Sequence, residues 1–372
     1  MKILMLNHEF PPVGGGAAPV TFELCKQLVS MGHHVDVVTM HFGNLPPLEK
    51  SDGFNIYRTP AIRKRPNICY THEMATYLPG AFFKTLQLAR REKYDCIHCH
   101  FIVPGATLAW PISKLCKIPF IVTCHGSDVP GYNPDRFGFQ HKLILPLWKF
   151  LAKSSDLLVS PSRSLQELIV SNCPGLHVEI VPNGIYPSSF KTTEKKKSIL
   201  MCSRLLPRKG FQYVIQALKD IELDWQINVI GQGPYLDELK RLAQTSKTPV
   251  KFWGWLDQSD RRFRELYEQS SIFVFPSEAE NFPTVLLEAM SAKMAIITST
   301  AGGCPEVVGD SGILVEPTDI DAIRENVMKL VASDQLRNDL ADKARQRVDR
   351  FSWDNIAQKY LECYRQVIEQ IK

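Results

Sequence analysis

Short, wholly apolar runs recur along this chain, and each breaks off at a proline, a glycine or a cluster of polar residues. Ile272-Phe273-Val274-Phe275, running into Pro276, shows the pattern best. Lys2-Ile3-Leu4-Met5-Leu6-Asn7, Pro119-Phe120-Ile121-Val122-Thr123-Cys124, Leu157-Leu158-Val159-Ser160 and Met294-Ala295-Ile296-Ile297-Thr298 share it. A strand with one wet face alternates polar and apolar residues. One that is apolar throughout is buried on both faces, as in a parallel sheet covered by helices. The pattern restricts the chain to α/β folds on parallel sheets. The longest apolar stretches are strand-sized and interrupted by proline or charge, so none spans a bilayer.

The first run leads into Pro11-Pro12-Val13-Gly14-Gly15-Gly16-Ala17, a loop able to bring backbone close to a ligand, with a plain flexible loop as the alternative. A helix follows, with Val20, Leu24, Cys25, Leu28 and Met31 at helical spacing and Gly32 closing it before the strand Val35–Thr39. This is a βαβ opening without the G-x-G-x-x-G spacing, which disfavours a nicotinamide cofactor. Further strands are expected at Cys96–His100 and Val178–Val181. Polar or glycine-bearing turns follow the strands of this half, at Gly105, His125-Gly126-Ser127-Asp128, Pro161-Ser162 and Pro182-Asn183-Gly184. Ligands of an open parallel sheet sit beyond the carboxyl ends of its strands, where these turns fall. His98 and His100 share a strand face that Cys99 does not, which argues against a metal site.

A chain of 372 residues exceeds what one core usually organises. After Tyr186 the rhythm restarts: Thr192-Thr193-Glu194-Lys195-Lys196-Lys197 reads as an unstructured charged linker, and strands follow at Ser198–Arg204, Gln226–Ile230 and Val250–Trp253. Two α/β domains are expected, 1–186 and 187–352, with their turns facing across a cleft. The tail from Phe351 to Ile368 reads as an amphipathic helix. Met1-Lys2 leads straight into a strand, and most of the ten cysteines lie in apolar runs, so a cytoplasmic protein with reduced thiols is expected. A net charge of +5 without a basic tail does not argue for nucleic acid.

Two turns carry candidate chemistry. Ser277-Glu278-Ala279-Glu280-Asn281-Phe282-Pro283-Thr284 joins a strand to a helix that continues through Glu288. Free N–H groups at such a helix start favour phosphate, and Glu280 and Glu288 offer acceptors to hydroxyls, which together suit a sugar nucleotide. The same residues also fit a helix whose first Glu complements the macrodipole and whose second is merely solvated. In Ser203-Arg204-Leu205-Leu206-Pro207-Arg208-Lys209-Gly210, Arg204 ends a strand and Lys209 precedes a helix, so both are expected to reach one point above the sheet, where they suit a departing pyrophosphate. Solvated surface charge is the alternative. Asp319-Ile320-Asp321 spells a metal-binding D-x-D but sits at a helix start and reads as a cap.

These motifs, with His125-Gly126, Pro182-Asn183-Gly184, Gly231-Gln232-Gly233-Pro234, Gly302-Gly303-Cys304-Pro305-Glu306 and Phe351-Ser352-Trp353, resemble along nearly the whole chain a retaining glycosyltransferase of family 4 with the GT-B fold. The resemblance implies two Rossmann-like domains, the first for the acceptor and the second for the donor, with residues 353–372 crossing back onto the first. It implies transfer from a nucleotide diphosphate sugar, a UDP-sugar ahead of GDP-mannose, to a hydroxyl of a glycan, lipid-linked or small-molecule acceptor. It implies that no metal and no cofactor is required, that Glu280 contacts the transferred sugar, that His125 lies against it near the anomeric carbon, and that Glu288 holds the ribose. By the same resemblance Arg204 and Lys209 would neutralise the diphosphate, helped by backbone N–H groups near Gly15, Gly16 and Phe282, Pro283 and Thr284, and Gly231 would belong to the donor site. Retention by same-face attack needs no enzymic nucleophile, so Glu280 positions rather than acts as a base.

Two residues depart from the family pattern. Asn281 replaces a common glycine; because Asn tolerates positive φ, the turn is expected to be kept with a shifted donor preference. Tyr186 stands where an Asp is common. Tyr57-Arg58, Arg63-Lys64-Arg65 and the stretch from Tyr132 through Trp148-Lys149-Phe150 suit an anionic interface, so a peripheral contact of the N-terminal domain with the inner membrane face is expected. Ordinary surface charge with core aromatics is the commoner source of such a composition. A sugar-nucleotide epimerase of the same architecture and a non-catalytic sugar-nucleotide-binding protein are the alternatives.

Overall fold

The computed structural model describes residues 1–66, 68–132 and 134–370. Asn133, in the basic and aromatic stretch, and Ile371 and Lys372, at the end of the tail, lie outside them. The chain divides into two compact units, Met1–Asn183 with the stretch from Trp353 onward, and Gly184–Ser352.

The first unit holds eight strands: β1 (Lys2–Leu6), β2 (His34–Met40), β3 (Leu48–Ser51), β4 (Phe54–Thr59), β5 (Cys96–His100), β6 (Phe120–Thr123), β7 (Leu157–Ser160) and β8 (Val178–Ile180). Their order is β3-β4-β2-β1-β5-β6-β7-β8, parallel throughout except for the antiparallel β3–β4 pair. The apolar runs are the inner strands, and β5, β6 and β7 are buried at every residue. Three elements depart from the sequence reading. The edge strand β3 is polar and half exposed, β4 alternates, and the helix Thr71–Arg91 carries Pro79 in its interior, a residue that reads as a helix breaker. The last helix, Trp353–Glu369, buries Trp353, Ile356, Tyr360, Leu361, Tyr364 and Val367 in this unit and packs against the helix Ala17–Ser30.

The second unit holds β9 (Lys196–Cys202), β10 (Gln226–Ile230), β11 (Val250–Gly254), β12 (Ser270–Phe275), β13 (Ala295–Ser299) and β14 (Gly312–Val315), all parallel in the order β11-β10-β9-β12-β13-β14. The half-exposed edge strand β14 was not among the expected strands. The stretch Thr192–Lys197 is not an unstructured linker. The backbone N–H of Lys191 donates to the Glu268 carboxylate at 2.9 Å, and the Lys195 ammonium donates to the carbonyls of Glu268 and Ala292 at 2.8 and 2.6 Å. Those carbonyls end two helices, where unpaired oxygens and the macrodipole favour a cation, so β9 already begins at Lys196.

Both sheets reverse their strand order once, between β1 and β5 in the first unit and between β9 and β12 in the second. At such a switch point the loops leaving two neighbouring strands run in opposite directions and leave a crevice at the carboxyl ends, the usual ligand position in open α/β sheets.

Candidate functional site

The two turns singled out from sequence leave the two strands of the second unit's switch point: Ser203–Gly210 follows β9 and Pro276–Pro283 follows β12. They are tied together directly. The N–H of Glu278 donates to the carbonyl of Arg208 at 2.8 Å, and the Lys209 ammonium forms a short ion pair with the Glu280 carboxylate. Ser277 Oγ donates to the same carboxylate at 2.8 Å, and Lys209 Nζ lies 5.4 Å from the centre of the Phe275 ring. Both charged side chains are 12% exposed, a partly desolvated setting in which a charge-assisted bond counts for more than at the surface. Lys209 therefore meets Glu280 rather than Arg204, whose residue is exposed and has no ion pair among the described residues.

Glycines let these loops close on one another. A Cβ on Gly231 would lie 1.9 Å from the Ser203 carbonyl oxygen, which presses the Gly231–Pro234 turn onto the backbone beside Arg204. One on Gly302 would lie 2.2 Å from the Glu280 carbonyl oxygen, and Gly303 N–H donates to that oxygen at 3.0 Å. Gly302 has φ +58°, whereas Asn281 takes no positive φ, so the turn does not draw on the tolerance of Asn for that conformation. Pro283 caps the helix Thr284–Ser291, and Phe282 is buried with its ring 5.5 Å from Phe351.

Glu288 lies one turn further along, and its environment differs. It is 7% exposed, with Oε1 accepting from Gln258 Nε2 and Oε2 from Tyr267 OH, both at 2.8 Å. Burial without a cation raises its pKa to about 7. Each oxygen keeps a second lone pair, so the carboxyl can still accept from ligand hydroxyls. Tyr267 and Gln258 escaped the sequence reading: Tyr267 is one buried face residue of the helix Arg261–Gln269, and nothing in its spacing marks a hydroxyl aimed at Glu288.

In the first unit, His125 follows β6. Its Nε2 lies 2.8 Å from His100 Nδ1, and its backbone N–H donates to Asp128 at 2.9 Å. Gly15 and Gly16 precede the helix Ala17–Ser30. The Gly15 N–H donates to the Glu9 carboxylate at 2.8 Å, so that donor, expected to face phosphate, is engaged within the loop. Glu9 was missed in the sequence; its carboxylate is folded back over the loop, with Oε1 3.6 Å from Arg63.

His98 is bonded to Tyr364 OH and Thr123 Oγ1, both at 2.8 Å. Asp319 caps its helix by accepting from Ala322 N–H at 2.9 Å, and Asp321 pairs with Arg324, so the two aspartates serve different partners. Among the described residues no three His, Cys, Asp or Glu side chains are grouped to hold a metal ion.

Two family models cover the chain in succession: Glycosyltransferase Family 4 matches residues 14–189 and Glycosyl transferases group 1 matches residues 185–347. An uncharacterized glycosyltransferase of Methanocaldococcus jannaschii is 29% identical over the full length of both chains. The N-acetyl-alpha-D-glucosaminyl L-malate synthase of Bacillus anthracis is 26% identical over 100% of this chain and 99% of its own. Among solved structures, sucrose-phosphate synthase from Thermosynechococcus elongatus superposes with a TM-score of 0.84 at 21% identity, covering 100% of both chains. Anabaena HepE, solved in complex with UDP, superposes at 0.77 and 19% identity, covering 98% of this chain and 100% of its own. The parallel sheets, the paired switch-point turns and these matches agree: the chain is a glycosyltransferase of GT-B fold and belongs to the family 4, group 1 glycosyl transferases.

Proposed function

We propose that this glycosyltransferase moves a sugar from a nucleotide diphosphate sugar to an acceptor hydroxyl with retention at the anomeric carbon and without a divalent metal. The observation that carries this reading is the Lys209–Glu280 pair at the switch point of the second sheet, beside the start of the helix Thr284–Ser291. In the proposed reaction the bond from anomeric carbon to phosphate oxygen breaks while the acceptor oxygen attacks from the same face. The acceptor's proton passes to the departing phosphate oxygen, so no side chain becomes covalently bound. Glu280 positions the sugar and Glu288 accepts from the ribose hydroxyls. Lys209 and Arg204, with N–H groups at the helix start, stabilise the charge that grows on the diphosphate. His125 accepts a hydrogen bond from a sugar hydroxyl.

A uridine donor is favoured because solved GT-B neighbours of similar fold are complexes with UDP and UDP-glucose. The acceptor is assigned to the class of glycan, lipid-linked or small-molecule hydroxyls. A peripheral membrane contact is supported by the helix Pro134–Ser154, where Phe139, Leu143, Leu147 and Phe150 are exposed at 79, 74, 44 and 45% and lie among Lys142, Lys149 and Lys153. No helix among the described residues is long and apolar enough to cross a membrane.

The reading is tested by a thermal-shift panel of UDP-sugars and GDP-mannose, since a ligand at a hundred times its Kd stabilises by about 2.7 kcal/mol. A UDP-sugar is expected to raise Tm, and acceptor-dependent release of UDP is expected to persist in a chelator. A donor that stabilises without any nucleotide release would leave a binding protein instead. Flotation with anionic vesicles, which is expected to carry the protein and to weaken in high salt, tests the membrane contact.

A further inference from the structure

Beneath His125 the first unit holds a buried row of imidazoles whose polarity can be worked out from one end. Met5 on β1 and His98 and His100 on the adjacent β5 are all fully buried. His100 uses both ring nitrogens: Nε2 lies 3.2 Å from Met5 Sδ, and Nδ1 lies 2.8 Å from His125 Nε2. A thioether has no proton to give, so Met5 can only accept. A lone pair on His100 Nε2 would face a sulfur lone pair at that distance, whereas an N–H there makes a weak hydrogen bond. His100 therefore carries its proton on Nε2 and presents a lone pair at Nδ1. The hydrogen in the His100–His125 bond must then come from His125 Nε2.

The rings have little freedom to choose otherwise. His100 is stacked between His98, at 4.4 Å, and His125, at 5.1 Å. His98 is clamped at both nitrogens by Tyr364 and Thr123, and Thr123 Oγ1 lies 3.2 Å from Tyr360 OH. Burial lowers His98 and His125 to about 3 and takes His100 well below its usual range, so all three are neutral at working pH. The other groups facing His125 are Phe101, His8 and Asp128. The Asp128 carboxylate accepts from the N–H groups of Ile102 and His125 and makes no hydrogen bond to the imidazole.

We infer that Met5 and His100 are positioning residues that set the tautomer of His125, protonated at Nε2 and open at Nδ1, and so make it a hydrogen-bond acceptor. This deepens the proposed function and rests on its reading of His125 as a sugar contact. An Nδ1 lone pair selects a hydroxyl that can donate; the opposite tautomer would present an N–H and favour a carbonyl or phosphate oxygen. The choice is made by a side chain on β1 that makes no hydrogen bond to His125 of its own.

The tautomer can be read directly in the ligand-free protein labelled with 15N-histidine, independently of activity. His125 is expected to show a proton-bearing Nε2 and a bare Nδ1 in long-range 1H–15N correlations. Met5→Leu keeps the volume and removes the acceptor, so His100 loses its reason to hold a proton on Nε2. His125 is then expected to show a mixed or reversed pattern, with kcat/KM lowered about 5-fold, the worth of one hydrogen bond. Met5→Gln, whose amide oxygen accepts again, is expected to restore both. A protonated Nδ1 on His125 in the wild-type protein, or a His125 pattern unmoved by Met5→Leu, overturns the inference. If the tautomer is as stated but His125→Ala retains full activity, the inference stands and the role of His125 in the reaction falls.

Discussion

Glu280 and Glu288 start as a matched pair with seven residues between them and end in different surroundings. Glu280 pairs with an ammonium and accepts from a hydroxyl, which hold it aimed; Glu288 is buried, which pushes it towards neutrality against the opposing hydrogen bonds donated by a phenol and an amide. Replacing Glu280 by Gln is expected to lower turnover by about 10²-fold, as loss of one preorganised acceptor does. A circular dichroism melt close to wild type would confirm that the fold survives. For Glu288 the sign is worked through the proton. Below its ordinary pKa of 4.5 the carboxyl is protonated in both folded and unfolded chains. Between there and about 7 only the unfolded chain releases the proton, so the wild type loses stability as pH rises. Glu288→Gln cannot ionise and is expected to gain on the wild type across that window, by on the order of 3 kcal/mol. A Tm difference that stays constant from pH 5 to pH 8 would contradict it. The spacing of the two residues is legible in the sequence. Their environments are not, because Tyr267 and Gln258 come from a different helix and its preceding loop and meet Glu288 only through the fold.

At the level of elements, the inner strands are the most legible feature, since burial on both faces writes itself as an unbroken apolar run. Elements at the margins are legible only in part. β3 is a half-exposed edge strand with no apolar pattern to betray it, β14 is an edge strand whose apolar stretch Ile313-Leu314-Val315 is only three residues long, and the interior Pro79 masks the helix Thr71–Arg91. The Thr192–Lys197 stretch misleads for a related reason. Its charge suggests solvent, yet Lys195 spends that charge on the carbonyl ends of two helices. The turns were legible as turns, but not their interlock, which depends on close backbone approach between segments distant in sequence. That interlock is testable at Gly302. An added methyl 2.2 Å from the Glu280 carbonyl oxygen must displace the turn. Since misplacement by roughly 1 Å can cost about 10²-fold in rate, Gly302→Ala is expected to lose most of its transfer activity while far-UV circular dichroism remains that of a folded protein.

For the whole molecule, the restart of the strand rhythm after Tyr186 reveals two units in the sequence, and the restart alone places their border within a few residues of Asn183. What no local pattern announces is that the first unit is discontinuous. The second begins and ends side by side: Ile185 N–H donates to Phe351 O at 2.9 Å, and Ile185 bridges Ser352. The first unit recovers its last core residues, Trp353 through Val367, only after that. On the ribosome this imposes an order of completion opposite to the order of synthesis. The residues translated first cannot close their core until the last helix has left the exit tunnel, while the second unit has all its strands beforehand. Nascent chains stalled with Ser352 exposed but Trp353 onward still in the tunnel are expected to yield a protease-resistant second unit and a digestible first one. Equal resistance of both would mean that the first unit folds without its final helix.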